Sequence, residues 1–124
     1  MQQLQQSRVL VLEDQYLLAM QVEEDLQSKG AQVVGPVATA SEALELIEST
    51  EIDAAVLNVR LKNGTSFAVA DELLRRGVPF VFVTAFEQQM LPETYVSIPH
   101  LTKPLKPTEL VTALLALVSA NAER

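Results

Sequence analysis

The sequence predicts an α/β fold of the doubly wound kind, a five-stranded parallel sheet in a three-layer α/β/α arrangement. Three observations carry this. Short continuous apolar runs recur along the chain, they alternate with segments whose apolar residues follow helical spacing, and the 124 residues are 48% hydrophobic and 20% charged. Strands buried on both faces read as continuous runs, and strands alternating with helical segments build parallel sheets through right-handed crossovers. The length fits one domain, expected to fill residues 1–124 with a structured core over about 7–121.

The elements follow in order. Arg8-Val-Leu-Val-Leu-Glu13 predicts the first strand. Leu17, Leu18, Met20, Val22 and Leu26 line one face of a helix over Gln15 to Lys29, which Gly30 stops. Gln32-Val-Val-Gly-Pro-Val37 is the second strand. Ala43, Leu44, Leu46 and Ile47 mark the second helix, with Thr39 or Ser41 as its cap. Asp53-Ala-Ala-Val-Leu-Asn58 is the third strand, and Asn63-Gly64 is a turn. Phe67, Val69, Ala70, Leu73 and Leu74 predict the third helix, closed by Arg75-Arg76-Gly77, cations and then glycine at a carboxyl end. Val78 to Thr84 is the fourth strand. Phe86 to Tyr95 is short and interrupted by Pro92, so a fourth helix there should be stunted. Val96 to Thr102 reads as an edge strand, where Pro99 is tolerable. Pro107 opens the last helix, with Leu110, Val111, Leu114, Leu115 and Val118 on one side.

Composition excludes several chemistries. Without cysteine there is no disulfide framework, thiolate metal site or cysteine nucleophile. His100 is the single histidine, so imidazoles cannot build a zinc site. A net charge of −7 disfavours both nucleic acid and anionic membranes. The polar start Met1 to Ser7 has no signal-peptide pattern, and no apolar run reaches bilayer length. The expectation is a cytoplasmic protein with no nucleic-acid or membrane partner, any output domain being a separate polypeptide.

In open parallel sheets the site lies beyond the carboxyl ends of the strands. Those ends carry Glu13-Asp14, Asn58, Thr84-Ala85 and Lys103-Pro104. Paired carboxylates can hold Mg²⁺, and a lysine with a hydroxyl can hold phosphoryl oxygens. The group to be phosphorylated is missing.

In Val9-Leu-Val-Leu-Glu-Asp14, Asp53-Ala-Ala-Val-Leu-Asn-Val-Arg-Leu61, Val81-Phe-Val-Thr-Ala85 and Leu101-Thr-Lys-Pro-Leu105 the chain resembles the response-regulator receiver family, of chemotaxis-regulator type, over essentially its whole length. Phe67-Ala-Val-Ala-Asp71 with Arg76-Gly-Val-Pro-Phe-Val-Phe82 further resembles small stand-alone bacterial receivers. The resemblance implies a flavodoxin-like sheet of order 2-1-3-4-5 and a place in two-component phosphorelay signalling. It matches Glu13 and Asp14 to the metal-binding acidic pair and the backbone carbonyl of Arg60 to the third protein ligand. Thr84 matches the switch hydroxyl, and Lys103 the phosphate-pairing lysine, whose bond to Pro104 is typically cis.

Three positions depart from the family pattern. Asn58 stands where the phosphoacceptor aspartate is expected, His100 where the switch aromatic is expected, and the segment before the fifth strand is short. The same residues have plainer roles open to them. Asp14 could cap a helix, Lys103 is expected to pair with Asp14, and His100 reads as a partly buried edge-strand residue. Arg60 and Lys62 read as solvated loop charges, with Arg60 near enough to reach the pocket. Asn58 is either a natural loss of the acceptor or an engineered replacement of a native aspartate, with a sequencing error ranked last.

Two functions remain. The first is a phosphorylation-independent signalling module, not an enzyme, holding Mg²⁺ weakly or not at all. Its expected partners are a histidine kinase, a phosphotransferase, an output protein or a second copy of the chain. The alternative is an ordinary aspartyl-phosphate receiver whose native residue at position 58 is an aspartate. A flavodoxin-like cofactor binder is set aside, because the first βα turn is acidic and lacks glycine. The surface around Tyr95, Ile98, Leu105 and Leu110 is the expected contact.

Overall fold

The computed structural model describes residues 6–85 and 91–122. Its elements run β1 (Arg8–Leu12), α1 (Tyr16–Gln27), β2 (Gln32–Val37), α2 (Ala40–Ser49), β3 (Ala54–Asn58), β4 (Arg60–Leu61), β5 (Gly64–Thr65), α3 (Phe67–Arg76), β6 (Phe80–Thr84), a 3₁₀ turn at Glu93–Tyr95, β7 (His100–Thr102) and α4 (Pro107–Ala122). Five strands pair in the order β2-β1-β3-β6-β7, all parallel. With β4 and β5 set aside as a separate hairpin, this is the expected 2-1-3-4-5 sheet.

Alternation along the central strands divides the core. Leu10, Leu12, Leu57, Phe80 and Phe82 face α2 and α3, while Val9, Val11, Val56, Val81 and Val83 face α1 and α4. Successive side chains of a strand point to opposite faces, so a continuous apolar run feeds both helical layers. The larger residues gather on the α2/α3 side, where Phe67, Phe82 and Tyr95 also form a ring cluster.

Several elements differ from expectation for identifiable reasons. In α1 the buried residues are Ala19, Val22 and Leu26, whereas Leu17 and Met20 are exposed. The stripe 19-22-26 sets the helix phase and turns positions 17 and 20 outward. Asp14 does not cap α1; Gln15 holds the cap position without a side-chain bond. Thr39 does cap α2, accepting from the Glu42 N–H. Gly77, at φ 72°, closes α3 in the left-handed conformation that glycine adopts without strain.

In the region of the stunted fourth helix, the described part is the 3₁₀ turn, and residues 86–90 lie outside the described residues. The last strand keeps only His100–Thr102. Tyr95 and Leu110, nominated as surface, are buried, and Ile98 and Leu105 are partly covered. The Tyr95 hydroxyl donates to Asp71, and its ring stacks on Phe67. The four residues do not form one exposed patch: the 3₁₀ turn brings Tyr95 back over α3, with Ile98 packed on that core, while Leu110 fills the α1/α4 core across the sheet with Leu105 packed against it. Among the described residues no helix is long and apolar enough to cross a membrane.

Candidate functional site

Parallel strands bring their carboxyl ends to one edge, so β1, β3, β6 and β7 deliver Glu13-Asp14, Asn58, Thr84 and Lys103 together. Lys103 is held there by its backbone N–H, which donates to the Thr84 carbonyl at 2.9 Å, and its bond to Pro104 is cis. Gly35-Pro36 in β2 is cis as well, beside the irregularity in its pairing with β1. An open cleft of about 300 Å³ lies over this edge, lined by Asp14, Asn58, Arg60, Lys62, Thr84 and Lys103 among others. His100 opens β7 opposite Phe82 and is not one of the lining residues.

The side chains form a closed network. Asn58 is 5% exposed. Its Nδ2 donates to the Arg60 carbonyl at 2.8 Å, to Glu13 Oε2 at 3.3 Å and to Asp14 Oδ1 at 3.3 Å. Glu13 Oε2 also accepts from the Gln15 N–H at 2.9 Å, while Glu13 Oε1 lies 3.3 Å from Lys103 Nζ. Lys103 Nζ donates to Gln15 Oε1 at 3.0 Å. Asp14 Oδ2 accepts from the Lys62 N–H at 2.8 Å. Burial pushes the Glu13 carboxyl above the usual carboxylate range, outweighing the Gln15 N–H and Lys103, which pull it down; the charge of Asp14 adds to the push.

The expected pairing of Lys103 with Asp14 is thus corrected. Lys103 meets Glu13 and Gln15, because Asp14 is turned toward the β4–β5 hairpin by the Lys62 N–H. Two contributors escaped the sequence reading. Gln15 directly follows the acidic pair, a placement that could have flagged it; Lys62 acts through its backbone, which no residue type signals. The Asn63-Gly64 turn is part of a hairpin in which Arg60 pairs with Thr65 and Leu61 with Gly64.

A divalent cation such as Mg²⁺ needs oxygens converging at about 2.0–2.1 Å on one point. Here the two carboxylates and the Arg60 carbonyl do converge, but on the nitrogen of Asn58, an N–H donor with no lone pair to ligate. As placed, these residues do not fit the ion.

Known proteins supply the frame for this geometry. Residues 9–115 match the family model for the response regulator receiver domain. The transcriptional regulatory protein PdtaR of Mycobacterium tuberculosis is 32% identical over 120 residues, covering 94% of this chain and 58% of PdtaR. The chain therefore spans a little over half the length of that relative. The solution structure of SdrG from Sphingomonas melonis Fr1 aligns at a TM-score of 0.80 with 36% identity, covering 91% of this chain and 97% of SdrG. The anti-anti-sigma factor PhyR of Bartonella quintana, a mutant in its crystal structure, aligns at a TM-score of 0.85 with 27% identity, over 99% of this chain and 52% of PhyR. With the strand order, the cleft and 107 matched residues in agreement, the chain belongs to the response regulator receiver family of two-component signalling.

Proposed function

We propose that this receiver signals without a phosphoryl group at position 58, as a docking module for a histidine kinase, a phosphotransferase or an output protein. One observation carries the reading. The residue matched to the phosphoacceptor is Asn58, and its amide nitrogen is engaged by Glu13, Asp14 and the Arg60 carbonyl. A carboxamide has no carboxylate oxygen with which to form an acyl phosphate. In this reading Thr84 and Lys103 keep the switch and phosphate-pairing positions, His100 replaces the switch aromatic, and Mg²⁺ is held weakly or not at all. PhyR's description as an anti-anti-sigma factor names a protein as its target, and an output of that kind suits this chain.

A second reading, an ordinary phosphoacceptor with a native aspartate at this position, is favoured by the intact surroundings. Glu13, Asp14, Thr84 and Lys103 all stand at the strand ends, and the Lys103-Pro104 bond is cis. The gene's own codon at position 58 separates the two readings, and intact-mass measurement after incubation with acetyl phosphate and Mg²⁺ tests the chemistry on which both rest. The wild-type chain should gain no phosphoryl group, and Asn58→Asp should gain one. Phosphate on the wild-type chain would refute the proposal, unless it maps to an aspartate formed at position 58 by deamidation. An Asn58→Asp chain that stays unlabelled would remove the second reading.

A further inference from the structure

The contacts of Asn58 do more than leave a phosphate out. Glu13 is 5% exposed and adjacent in sequence to Asp14, and both carboxylates point at the same spot as the Arg60 carbonyl. Oxygens gathered this way repel one another unless something electropositive stands between them, and buried carboxylates need donors. A receiver with an aspartate here would add another carboxylate to the group and leave the reconciliation to a cation.

The Asn58 amide supplies two protons to three acceptors. The Arg60 carbonyl is the near acceptor at 2.8 Å, and Glu13 Oε2 and Asp14 Oδ1 stand further off at 3.3 Å each, so two protons serve three oxygens. The opposite amide orientation would set Oδ1 against three oxygens, so the surroundings dictate that nitrogen faces in.

From there the network reaches the hairpin. Asn58 holds the Arg60 carbonyl, and Asp14, itself held by Asn58, accepts from the Lys62 N–H at 2.8 Å. Arg60 begins β4 and Lys62 follows it, so the first arm of the β4–β5 hairpin is pinned at both ends to the floor of the cleft. Below it, the Ser66 N–H donates to the Val59 carbonyl at 3.0 Å and closes the loop's base.

We infer that the Asn58 carboxamide is a built-in replacement for the divalent cation, holding Glu13, Asp14 and the β4–β5 hairpin in one fixed arrangement without any ion. The inference rests on the matching of Glu13, Asp14 and Arg60 to the metal-binding positions proposed above. It adds a consequence: the cleft's shape is set by the chain alone, independent of Mg²⁺ as well as of phosphate.

Thermal unfolding of the full chain tests this, in EDTA and in millimolar MgCl₂, for wild type, Asn58→Asp and Asn58→Leu. The wild-type Tm should be the same in both buffers. Asn58→Asp should melt lower in EDTA, by on the order of 5 °C, and recover most of that loss with Mg²⁺. Asn58→Leu, similar in size but without a donor, should melt lower in both buffers. In wild type the side-chain amide protons of Asn58 should exchange slowly with water by ¹H–¹⁵N NMR, a signature that a merely space-filling residue would lack. A wild-type Tm that climbs with Mg²⁺ as steeply as the variant's would overturn the inference. So would an Asn58→Asp chain as stable as wild type in EDTA, or rapid exchange of the Asn58 amide should neither variant fold. Phosphorylation of the wild-type chain with a Mg²⁺-independent Tm would sink the proposed function and leave this inference standing.

Discussion

At the scale of single residues, Asn58 and Tyr95 each organise a network that links distant parts of the chain. Asn58 ties the end of β3 to the acidic pair and to the hairpin. Tyr95, 4% exposed, ties the 3₁₀ turn to α3 through Asp71 and the Phe67 carbonyl. Burial first, and then the Asp71 carboxylate, push the Tyr95 hydroxyl up from its ordinary 10.0 to about 12. Below pH 10 both folded and unfolded chains keep this proton, so its contribution is fully present. As pH rises from 10 toward 12 the unfolded tyrosine ionises while the folded one does not, and stability falls. The loss across that window is on the order of 3 kcal/mol. Tyr95→Phe should cost about 1 kcal/mol at neutral pH and flatten this alkaline decline. Urea unfolding of both chains at neutral and alkaline pH measures the difference; parallel declines would show that Tyr95 is not its source.

At the scale of elements, α1 and the β4–β5 hairpin depart furthest from a reading of the residues. The expected face of α1 holds at Val22 and Leu26, with Leu18 packed against the same core, and fails at Leu17, 80% exposed, and Met20, 47% exposed, while Ala19 is buried. Small alanine meets the sheet where the helix approaches it, and the larger residues turn to solvent. Leu17→Ser and Met20→Ser should each shift stability by no more than about 0.5 kcal/mol. Leu26→Ala, on the buried stripe, should cost about 2–5 kcal/mol. Urea midpoints decide it, and a loss at Leu17 equal to that at Leu26 would contradict the observed facing. The hairpin is only two residues per arm, and its position depends on the Lys62 N–H that Asp14 accepts and the Arg60 carbonyl to which Asn58 donates.

For the whole molecule, the sheet separates two cores that share the same strands. Leu57 on β3 belongs to the α2/α3 side, and Val56 beside it to the α1/α4 side. Because β3 pairs with both β1 and β6, neither side can open without disturbing the other. Leu57→Ala should therefore lower the stability of the entire chain by about 2–5 kcal/mol. Its unfolding should remain one transition, with coincident far-UV circular dichroism and tyrosine fluorescence curves. Separate midpoints would mean that the layers melt independently.

The sequence by itself determined the number of the sheet's strands, the three-layer class and the residues that meet at the strand ends, while the strand order came from the family resemblance and the structure bears it out. The first three follow from local rules: continuous apolar runs mark doubly buried strands, and parallel strands must deliver their carboxyl ends to one edge. Only the tertiary structure decided the partners within that edge. Asn58 meets Glu13 across 45 positions of sequence, and Lys103 meets Gln15 across 88. It also decided that Lys103 takes Glu13 rather than Asp14, that Tyr95 turns inward and that Leu17 turns outward. Residue type states which bonds a group can make. Which of the competing donors and acceptors come within about 3 Å of it is settled by strand register, helix phase and backbone N–H groups, and these exist only once the chain has folded.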